Sequence, residues 1–428
     1  MTNRAAKRFR ARIMHSLSPE KVEDIRDGVL EVDDSGRIVS FGWADPMSNA
    51  QVQEFPSRLI IPGLVDVHSH IPQLDARGKH GSTLLAWLDR YILPAEMAFA
   101  EPRVVDDVAV RFFKKLILNG TTTAGLYSTV HAEATNRCFE IAQAAGVRCF
   151  IGKVMMDRNA PAGLLETTAD SLGQSEALCA KWHGAGNGRL RYAFTPRFAP
   201  TCSFELLKDA AELARSAGAY LQSHIAETLD ENDRVKELFP GHRDYVSLFE
   251  DAGCLGPRTI LAHAIHLSDD EYRRLAASDT KIAHCPTSNF FLKSGRMSVR
   301  RVEGAGCAYG FGTDVGAGTS MSIFTEMRHA DYAQDEHSIP PAKALWLATM
   351  GGAAVMSMDS EIGNFAPGKF ADFCVLDISG IDPVYRLDAL DTDELLSLLM
   401  YRGDSQMIES TYVAGERLDV DAISRAFS

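Results

Sequence analysis

Between residues 59 and 364, short apolar runs of strand length alternate with longer stretches whose apolar residues recur at helical spacing. One helical stretch begins at Pro102 and ends at Gly120, with an apolar stripe along one face between them. Eight strands with intervening helices predict an α/β fold of the (β/α)8 TIM-barrel type. The predicted strands end near His70, Ser128, Asp157, Phe198, Glu227, Leu267, Pro286 and Val315.

Two further helices carry recognisable end signals. Ser203 is placed to cap a helix that Gly218 ends, and Ser268 with Glu271 fits a capping box. A doubly wound sheet is the competing architecture for alternating strands and helices. No glycine-rich dinucleotide fingerprint or phosphate loop follows the first strand, so that architecture lacks its usual ligand signal.

The sequence pattern at the two ends of the chain differs from that of the central region and predicts short strands and turns. Asp33-Asp34-Ser35-Gly36 separates two strand-like runs and predicts a hairpin, and Pro367-Gly368-Lys369 marks a turn before another run. Neither end is long enough to bury a core alone. We therefore predict one small β-sandwich domain built from residues 1–58 and 365–428, with the barrel formed by residues 59–364.

Composition and charge narrow the class of protein. The 428 residues are 46% apolar and 24% charged, and 44 basic against 57 acidic residues give a net charge of −13. This charge disfavours nucleic acid polymers and anionic membrane surfaces as partners. No apolar run of 18 residues occurs, and the basic N-terminus around Arg4 has no apolar core of a signal peptide. The eight cysteines form no C-x-x-C pair, which indicates reduced thiols and a cytoplasmic protein.

The first barrel strand ends in two histidines separated by one residue. Residues i and i+2 of a strand point to the same face, so His68 and His70 are directed at one point. Two convergent imidazoles are typical of a metal site.

Further candidate ligands stand at the predicted ends of later strands. His224 ends the fifth strand, His263 ends the sixth, and Asp314 follows the eighth. A lone histidine is ordinarily a core or surface residue, but several at strand ends of one barrel meet at the same face. Imidazoles and a carboxylate suit zinc or a similar divalent ion.

Five motifs in order resemble the amidohydrolase superfamily, specifically its mononuclear deaminase and chlorohydrolase branch. The resemblance runs from about residue 59 to 370, and the motifs are His68-x-His70, Ser223-His224-Ile225-Ala226-Glu227, Leu261-Ala262-His263, Ala283-His284-Cys285-Pro286-Thr287-Ser288-Asn289 and Gly312-Thr313-Asp314. The resemblance implies a (β/α)8 barrel with one Zn²⁺ per chain, bound by His68, His70, His224 and Asp314. Binuclear relatives carry a lysine at the end of strand four, whereas Lys153 lies one strand earlier, so we expect one metal.

The resemblance also implies an acid–base pair. Glu227 and Asp314 are carboxylates in different surroundings, which separates an acid from a base. We expect Asp314 to take a proton from the attacking water, and Glu227 to protonate a ring nitrogen and then help ammonia leave. His263 is expected to polarise the nucleophile or the tetrahedral centre, and a fifth metal contact is its alternative role.

Additional segments are similar to the members of this branch that deaminate guanine. They include His70-Ile71-Pro72-Gln73, residues 84–91 and Thr195-Pro196-Arg197-Phe198. The resemblance implies that Gln73 and Arg197 contact a purine and that Phe198 stacks on it. Arginine also presents a donor fork that matches the O6/N7 edge of guanine, where adenine carries a donor. The expected reaction is hydrolysis of guanine to xanthine and ammonia by attack of water at C2.

Some alternatives remain open at this point. Ala264 and His266, with Phe290 and Phe291, depart from the pattern of relatives and affect the shape of the pocket, so another guanine-like amine such as 8-oxoguanine stays a candidate. A triazine-type chlorohydrolase is a second candidate, and a scaffold without metal is a third. His284 is either a pocket wall or a support for the site. Residues 74–94 form a candidate lid, and a homodimer is an expectation from the family.

Overall fold

The computed structural model describes residues 7–45, 51–81, 84–335, 337–381, 383–384 and 386–427. Arg4 and residues 82–83 of the candidate lid lie outside these ranges. The strands are, in chain order, β1 Lys7–Ser18, β2 Lys21–Val32, β3 Ile38–Trp43, β4 Gln53–Pro62, β5 Leu64–His70, β6 Thr121–Tyr127, β7 Arg148–Gly152, β8 Val154–Met155, β9 Leu190–Pro196, β10 Tyr220–Ile225, β11 Thr259–His263, β12 Lys281–His284, β13 Tyr309–Phe311, β14 Phe373–Leu376, β15 Ile408–Val413 and β16 Glu416–Arg417.

Helices connect the strands of the central region and follow them in the C-terminal segment. They are α1 Leu84–Trp87, α2 Leu93–Ala98, α3 Pro102–Leu118, α4 Ala132–Ala145, α5 Thr168–Trp182, α6 Phe204–Ser216, α7 Leu229–Leu238, α8 Tyr245–Asp251, α9 Asp269–Ala277, α10 Pro286–Phe291, α11 Val299–Gly304, α12 Ile323–Tyr332, α13 Pro341–Trp346, α14 Gly352–Val355, α15 Thr392–Arg402 and α16 Val420–Ala426. Among the residues described, no helix has both the length and the apolar character that crossing a bilayer requires.

Parallel strands form the barrel, which confirms the predicted fold class. The hydrogen-bonded order is β5-β6-β7-β9-β10-β11-β12-β13, with the short β8 beside β9. The two ends of this sheet meet where the backbone N–H of Asp314, just after β13, donates to the carbonyl oxygen of His68 at 2.9 Å. All carboxyl ends of the strands therefore lie at one face of the barrel, where the loops that follow them can build a site.

The helix ends agree with the capping signals in the sequence. The Ser203 hydroxyl accepts a hydrogen bond from Leu206 N–H at 3.0 Å at the start of α6. Ser268 and Glu271 form the predicted capping box of α9, with their side chains and backbone N–H groups bonded reciprocally. These contacts satisfy backbone donors that no helical carbonyl can reach, so they fix the residue at which each of the two helices begins.

The interior of the barrel is a packed core. Strand residues such as Val65, Phe150, Ile260 and Ala283 point inward and are almost completely buried. Residues of each strand alternate between this interior and the layer beneath the helices. The barrel is therefore filled by side chains, and the open space lies at the carboxyl ends of the strands.

The two ends of the chain pair in a second, seven-stranded sheet. Its order is β16-β15-β14-β4-β1-β2-β3, so strands of the C-terminal segment lie next to N-terminal ones. The predicted hairpin is present, because β2 and β3 pair antiparallel across residues 33–36. The sheet curls on itself, since Arg37 near one edge forms a bridge to Phe370, which precedes β14. This curl encloses a separate apolar core that includes Phe9, Leu30 and Phe373.

The C-terminal segment also contributes helices to the barrel surface. Helix α15 packs against α12 and α13, and α16 packs against α3 and α4. Strand β4 of the small sheet continues to Pro62, directly before the first barrel strand. The division at residues 58 and 365 stays a prediction, and the two units share an extensive boundary.

Candidate active site

Side chains from four strands converge at the carboxyl face of the barrel. His68 and His70 end β5, His224 lies in β10, His263 ends β11, and Asp314 follows β13. Nε2 of His70 lies 3.2 Å from Nε2 of His68 and 3.3 Å from Nε2 of His224. Oδ1 of Asp314 lies 3.2 Å from Nε2 of both His68 and His70. The ligand atoms of His68, His224, His263 and Asp314 all lie within 4.8 Å of one another.

Together with His70, these four side chains form one cluster, the metal group, which fits a divalent cation. Burial lowers the pKa of His68 to about 4, and it lowers the pKa of His224 well below its usual range. Both rings are therefore neutral at neutral pH and present lone pairs, as metal ligands must. Burial raises the pKa of Asp314, but hydrogen bonds from His68 and His70 outweigh it and hold that pKa well below its usual range. The neutral imidazoles of His68 and His224 beside the carboxylate of Asp314 are donors that zinc or a similar ion takes.

Contacts behind the ligands fix their orientation. Nδ1 of His224 lies 2.7 Å from the carbonyl oxygen of Arg197, so this nitrogen donates and Nε2 keeps its lone pair for the metal site. Asp66, on β5, accepts hydrogen bonds from the backbone N–H and the hydroxyl of Thr313 at 2.9 and 2.5 Å. These bonds join the strand of the His-x-His pair to the residue before Asp314.

The backbone approaches closely where the last strand leads into the site. A Cβ at Gly312 would lie 2.8 Å from Cβ of His68 and 3.0 Å from Sγ of Cys285. Only glycine therefore fits beside His68 at this position. His263 and Asp314 also have positive φ values of 73° and 45°. Such strained backbone in residues other than glycine tends to occur at functional sites.

A second carboxylate faces the group. Oε2 of Glu227 lies 3.7 Å from Nε2 of His263, and Oδ2 of Asp314 lies 3.8 Å from the same nitrogen. Burial lowers the pKa of His263, but Glu227 and Asp314 together raise it above its usual value. Nδ1 of His263 lies 2.9 Å from Oδ1 of Asn289, which orients the ring. His263 thus stands between the two predicted proton-transfer groups.

Glu227 is held from two sides. The Ser294 hydroxyl donates to Oε1 of Glu227 at 2.8 Å, and Glu231 accepts the backbone N–H of Glu227 at 2.9 Å. Burial, assisted by the charge of Glu227, raises the pKa of Glu231 to about 7. Oε2 of Glu227 has no hydrogen bond within the described chain, so this oxygen is available to a bound molecule.

A cavity opens over the metal group. Its empty space is about 450 Å³ when the open solvent at its mouth is included. Apolar and aromatic walls face a few polar groups, as in sites for flat ring compounds. The lining residues are His70, Gln73, Trp87, Leu88, Arg197, Phe198, His224, Glu227, His263, Leu292, Asp314 and Ala317. All the residues predicted to contact substrate therefore share one cavity with the predicted catalytic groups.

Glu96 is a site residue that the sequence analysis missed. It lies in α2, is completely buried, and accepts hydrogen bonds from Arg197 and Gln73. These partners are 101 and 23 residues away along the chain. A single glutamate in a short helical run ordinarily faces solvent, and no local signal in the sequence distinguishes this one.

Tyr127 is a second residue that the sequence analysis missed. It ends β6, and its ring centroid lies 4.8 Å from that of His68, 4.6 Å from His70 and 4.9 Å from His224. The ring therefore forms an apolar support beneath three imidazoles. Its position at a strand end, one strand after the His-x-His pair, is the signal that could have identified it.

The structure places three residues whose relation to the site the sequence did not determine fully. Both ring nitrogens of His284 are buried without a hydrogen-bond partner among the described residues, and His284 does not line the cavity. Trp87 is both core and wall, because it is buried, lines the cavity and donates from its indole to Lys79 O at 2.8 Å. Nζ of Lys153 lies 2.6 Å from a carboxylate oxygen of Glu166, outside the metal group.

Comparisons with known proteins agree with this geometry. The guanine deaminase of Escherichia coli (strain K12) is 36% identical over 93% of this chain and 93% of its own length. The guanine deaminase of Dictyostelium discoideum is 32% identical over 97% of this chain and 99% of its length. A crystal structure of guanine deaminase from C. acetobutylicum, with guanine bound in its active site, superposes with a TM-score of 0.91 at 30% identity. It covers 96% of this chain and 100% of the other.

The family assignment follows from a match that includes the entire site. The model of the amidohydrolase family matches residues 59–418, which contain the barrel and all the converging side chains. Together with relatives that are more than 30% identical along nearly the full length, this match is decisive. The chain belongs to the amidohydrolase family.

Proposed function

We propose that this protein is a zinc-dependent guanine deaminase, which hydrolyses guanine to xanthine and ammonia. The observation that carries the proposal is one cavity in which Arg197, Phe198 and Gln73 stand beside the metal group and Glu227. The full-length similarity to guanine deaminases supports the same substrate. One zinc ion per chain, held by His68, His70, His224 and Asp314, would supply a nucleophile from water at neutral pH.

The protein's own residues bind and orient the base. The guanidinium of Arg197 donates to the O6/N7 acceptor edge of guanine, and Phe198 supports the face of the ring. Adenine keeps the N7 acceptor but presents an amino donor where guanine has O6, so one arginine N–H is left without an acceptor, which disfavours adenine. This orientation directs the C2 amino group toward His263, Glu227 and Asp314.

Proton transfer is divided between the two carboxylates. Asp314 accepts a proton as water adds to C2, and Glu227 donates a proton to the adjacent ring nitrogen. The hydroxyl on C2 then gives its remaining proton to Glu227, which passes it to the amino group as the C2–N bond breaks, so the water oxygen stays on the ring as a carbonyl and the amine leaves as ammonia. The proton held by Asp314 returns to Glu227 and restores both carboxyl groups. His263 lies between both carboxylates and stabilises the charge that develops at C2.

A substrate comparison tests the proposal. Purified protein with one equivalent of zinc should produce xanthine and ammonia from guanine, measured by a coupled xanthine oxidase assay and by metal analysis. We expect guanine to be preferred over 8-oxoguanine, adenine and cytosine, and no chloride to be released from a chlorinated triazine. Faster turnover of adenine would contradict the role of Arg197. A preference for 8-oxoguanine or chloride release would identify the alternative activities.

Two further expectations belong to this proposal. The substrate is a free purine rather than a nucleic acid polymer, and the protein acts in the cytoplasm as a homodimer. Sedimentation of the purified protein tests the dimer, and fractionation of cells tests the location.

A further inference from the structure

The strongest unassigned feature of the site is the buried carboxylate of Glu96. Its side chain is only 1% exposed, and it lies in α2, which follows the cavity-lining residues Trp87 and Leu88 along the chain. A buried carboxylate is costly unless it is paired and hydrogen-bonded. Its partners are two of the residues that we propose bind the purine, whereas the metal ligands do not contact it.

Only one of the three guanidinium nitrogens of Arg197 contacts Glu96. Nη1 of Arg197 lies 2.7 Å from both Oε1 and Oε2 of Glu96, so one nitrogen of the guanidinium makes the whole contact. Within the described residues, Nε and Nη2 of Arg197 have no hydrogen-bond partner. Glu96 therefore fixes the plane of the guanidinium and leaves other N–H groups available to a ligand.

Gln73 is fixed by the same carboxylate. Its Nε2 donates to Oε1 of Glu96 at 3.0 Å, and its Oε1 accepts the backbone N–H of Gly316 at 3.2 Å. The side chain oxygen is thus used within the protein, and the amide retains one N–H for a ligand. The amide orientation follows from the carboxylate, which can only accept hydrogen bonds.

The pairing also determines the charge of the recognition site. Arg197 and Glu96 are both buried, and together they carry no net charge. A compensated arginine donates hydrogen bonds to a neutral ring but gives little net attraction to an anion. An uncompensated arginine in the same place would favour anionic ligands.

We propose that Glu96 is a positioning residue for purine recognition, which orients Arg197 and Gln73 and makes the site selective for a neutral base. This inference rests on the proposed function, because it concerns the same cavity. Glu96 acts through its two partners and contacts neither the metal ligands nor the reacting C2 atom.

The first test compares Glu96→Gln with Glu101→Gln, an exposed glutamate three residues beyond α2. The Glu96→Gln variant should bind zinc normally and show a KM for guanine raised about tenfold or more, the loss expected for a hydrogen bond to a charged group. Its kcat should fall less than its KM rises. The Glu101→Gln variant should match the wild type in both parameters.

The second test measures the charge preference of the site with two inhibitors. Hypoxanthine is neutral at neutral pH and has the same O6/N7 edge as guanine, whereas urate is an anion there. In Glu96→Gln, hypoxanthine should bind more weakly and urate more tightly than in the wild type, so their ratio of inhibition constants should change about tenfold or more. A merely structural role for Glu96 would weaken both inhibitors alike.

A double-mutant cycle with Arg197→Gln tests whether Glu96 acts through the arginine. In the Arg197→Gln background, the Glu96→Gln change should raise KM much less than it does in the wild type, because only its contact with Gln73 is left to lose. The double variant also removes both buried charges together, so it remains measurable if Glu96→Gln alone does not fold. Glu96→Asp keeps the charge and provides a second folded variant, with a smaller rise in KM.

The outcomes separate this inference from the proposed function. Wild-type protein that does not deaminate guanine refutes the proposed function before any variant is made. An active wild type with an unchanged KM and unchanged inhibitor ratio in Glu96→Gln refutes the role of Glu96 alone. Additive losses in the cycle refute it as well, because they mean that Glu96 acts independently of Arg197.

Discussion

At the scale of single residues, the arrangement around Glu227 separates proton transfer from metal binding. Oε2 of Glu227 lies 3.7 Å from Nε2 of His263, whereas Oδ1 of Asp314 lies 3.2 Å from Nε2 of both His68 and His70. One oxygen of Glu227 is held by Ser294, and the other faces His263. A group that is fixed on one side and open on the other is suited to transferring protons to a bound ring.

Glu227→Gln should therefore separate activity from metal content. Glutamine has nearly the same shape and still accepts the Ser294 hydroxyl, so zinc content should stay near one per chain. It cannot transfer the proton, and kcat for guanine should fall by about 10²–10⁴-fold. Coupled xanthine formation and metal analysis on the same sample measure both quantities.

The matched control is Glu237→Gln, which replaces an exposed glutamate on α7 and should leave both quantities unchanged. A Glu227→Gln variant with full turnover would remove this residue from the mechanism. Loss of zinc together with activity would instead mean that Glu227 supports the metal site.

The sequence located residues whose partners are set by local geometry. His68 and His70 were placed because a strand directs alternate residues to one face, and the structure brings both to the group. Glu96 was not found, because its burial depends on Arg197, which lies 101 residues away. The sequence also could not predict which groups of the Gln73 amide remain available to a ligand. Its Oε1 accepts the backbone N–H of Gly316, which lies more than 200 residues away along the chain.

At the scale of elements, the loop after β13 brings two strands into contact beside the site. Gly312 lies where β5 and the segment of Cys285 approach most closely. An added methyl group there has no space, because its neighbours are the Cβ and backbone oxygen of His68 and a buried sulfur. The position of His68, the first of the proposed metal ligands, thus depends on the absence of a side chain two residues before Asp314.

Gly312→Ala should displace His68 and lower zinc affinity. Overpacking of this kind typically costs about 1–3 kcal/mol of stability, and the fold should survive it. Zinc content after dialysis against a weak chelator, with urea unfolding, measures both effects. Gly304→Ala, at the end of α11 with open space around its Cβ, should change stability by less than about 0.5 kcal/mol. An equal response of both variants would contradict the proposed close contact.

The elements themselves were predictable where periodicity is strong. The barrel strands end close to the predicted residues, because apolar runs bounded by polar ligands mark buried parallel strands. The short helices α1 and α2 and the C-terminal α15 were not predicted. Helices of four to six residues, such as α1 and α2, have too few turns to show a helical stripe. The sequence of the C-terminal segment was interpreted as strands and turns throughout, so no helix was predicted at the position of α15.

At the scale of the whole molecule, the sequence predicted that the two ends pair but not how. Both ends have the sequence pattern of short strands and turns, and this similarity predicted that they form one domain together. The strand order, with β14 beside β4, depends on contacts between segments more than 300 residues apart. No local pattern encodes that register, nor the curl that brings Arg37 to Phe370.

One buried ion pair joins the barrel to the small sheet. Arg148 begins β7 and Asp372 precedes β14, and their side chains are 1% and 2% exposed. Nε of Arg148 donates to Asp372 at 2.6 Å, and the guanidinium also lies over the ring of Phe370 at 4.3 Å. The other carboxylate oxygen accepts the backbone N–H of Ala414 at 2.8 Å. Asp372 therefore ties two segments of the small sheet to the start of a barrel strand.

Removing one partner should destabilise the protein without changing its chemistry. Arg148→Met leaves a buried carboxylate without its cation, which typically costs about 3–5 kcal/mol. Arg148 lies at the amino end of its strand, opposite the metal group, so zinc content and kcat/KM of the folded variant should match the wild type. Urea unfolding followed by circular dichroism measures the loss of stability.

The control for this prediction is an exposed pair on α7. The side chains of Arg234 and Glu237 are 50% and 66% exposed. Arg234→Met removes their contact and should change the free energy of unfolding by less than about 1 kcal/mol. A similarly small change for Arg148→Met would mean that the other contacts between the two units, such as the bond from the Thr411 hydroxyl to Ile117 O, hold them together. A fall in kcat/KM at constant stability would mean that the small sheet acts on the site through the barrel strands, because the ion pair itself lies at their far end.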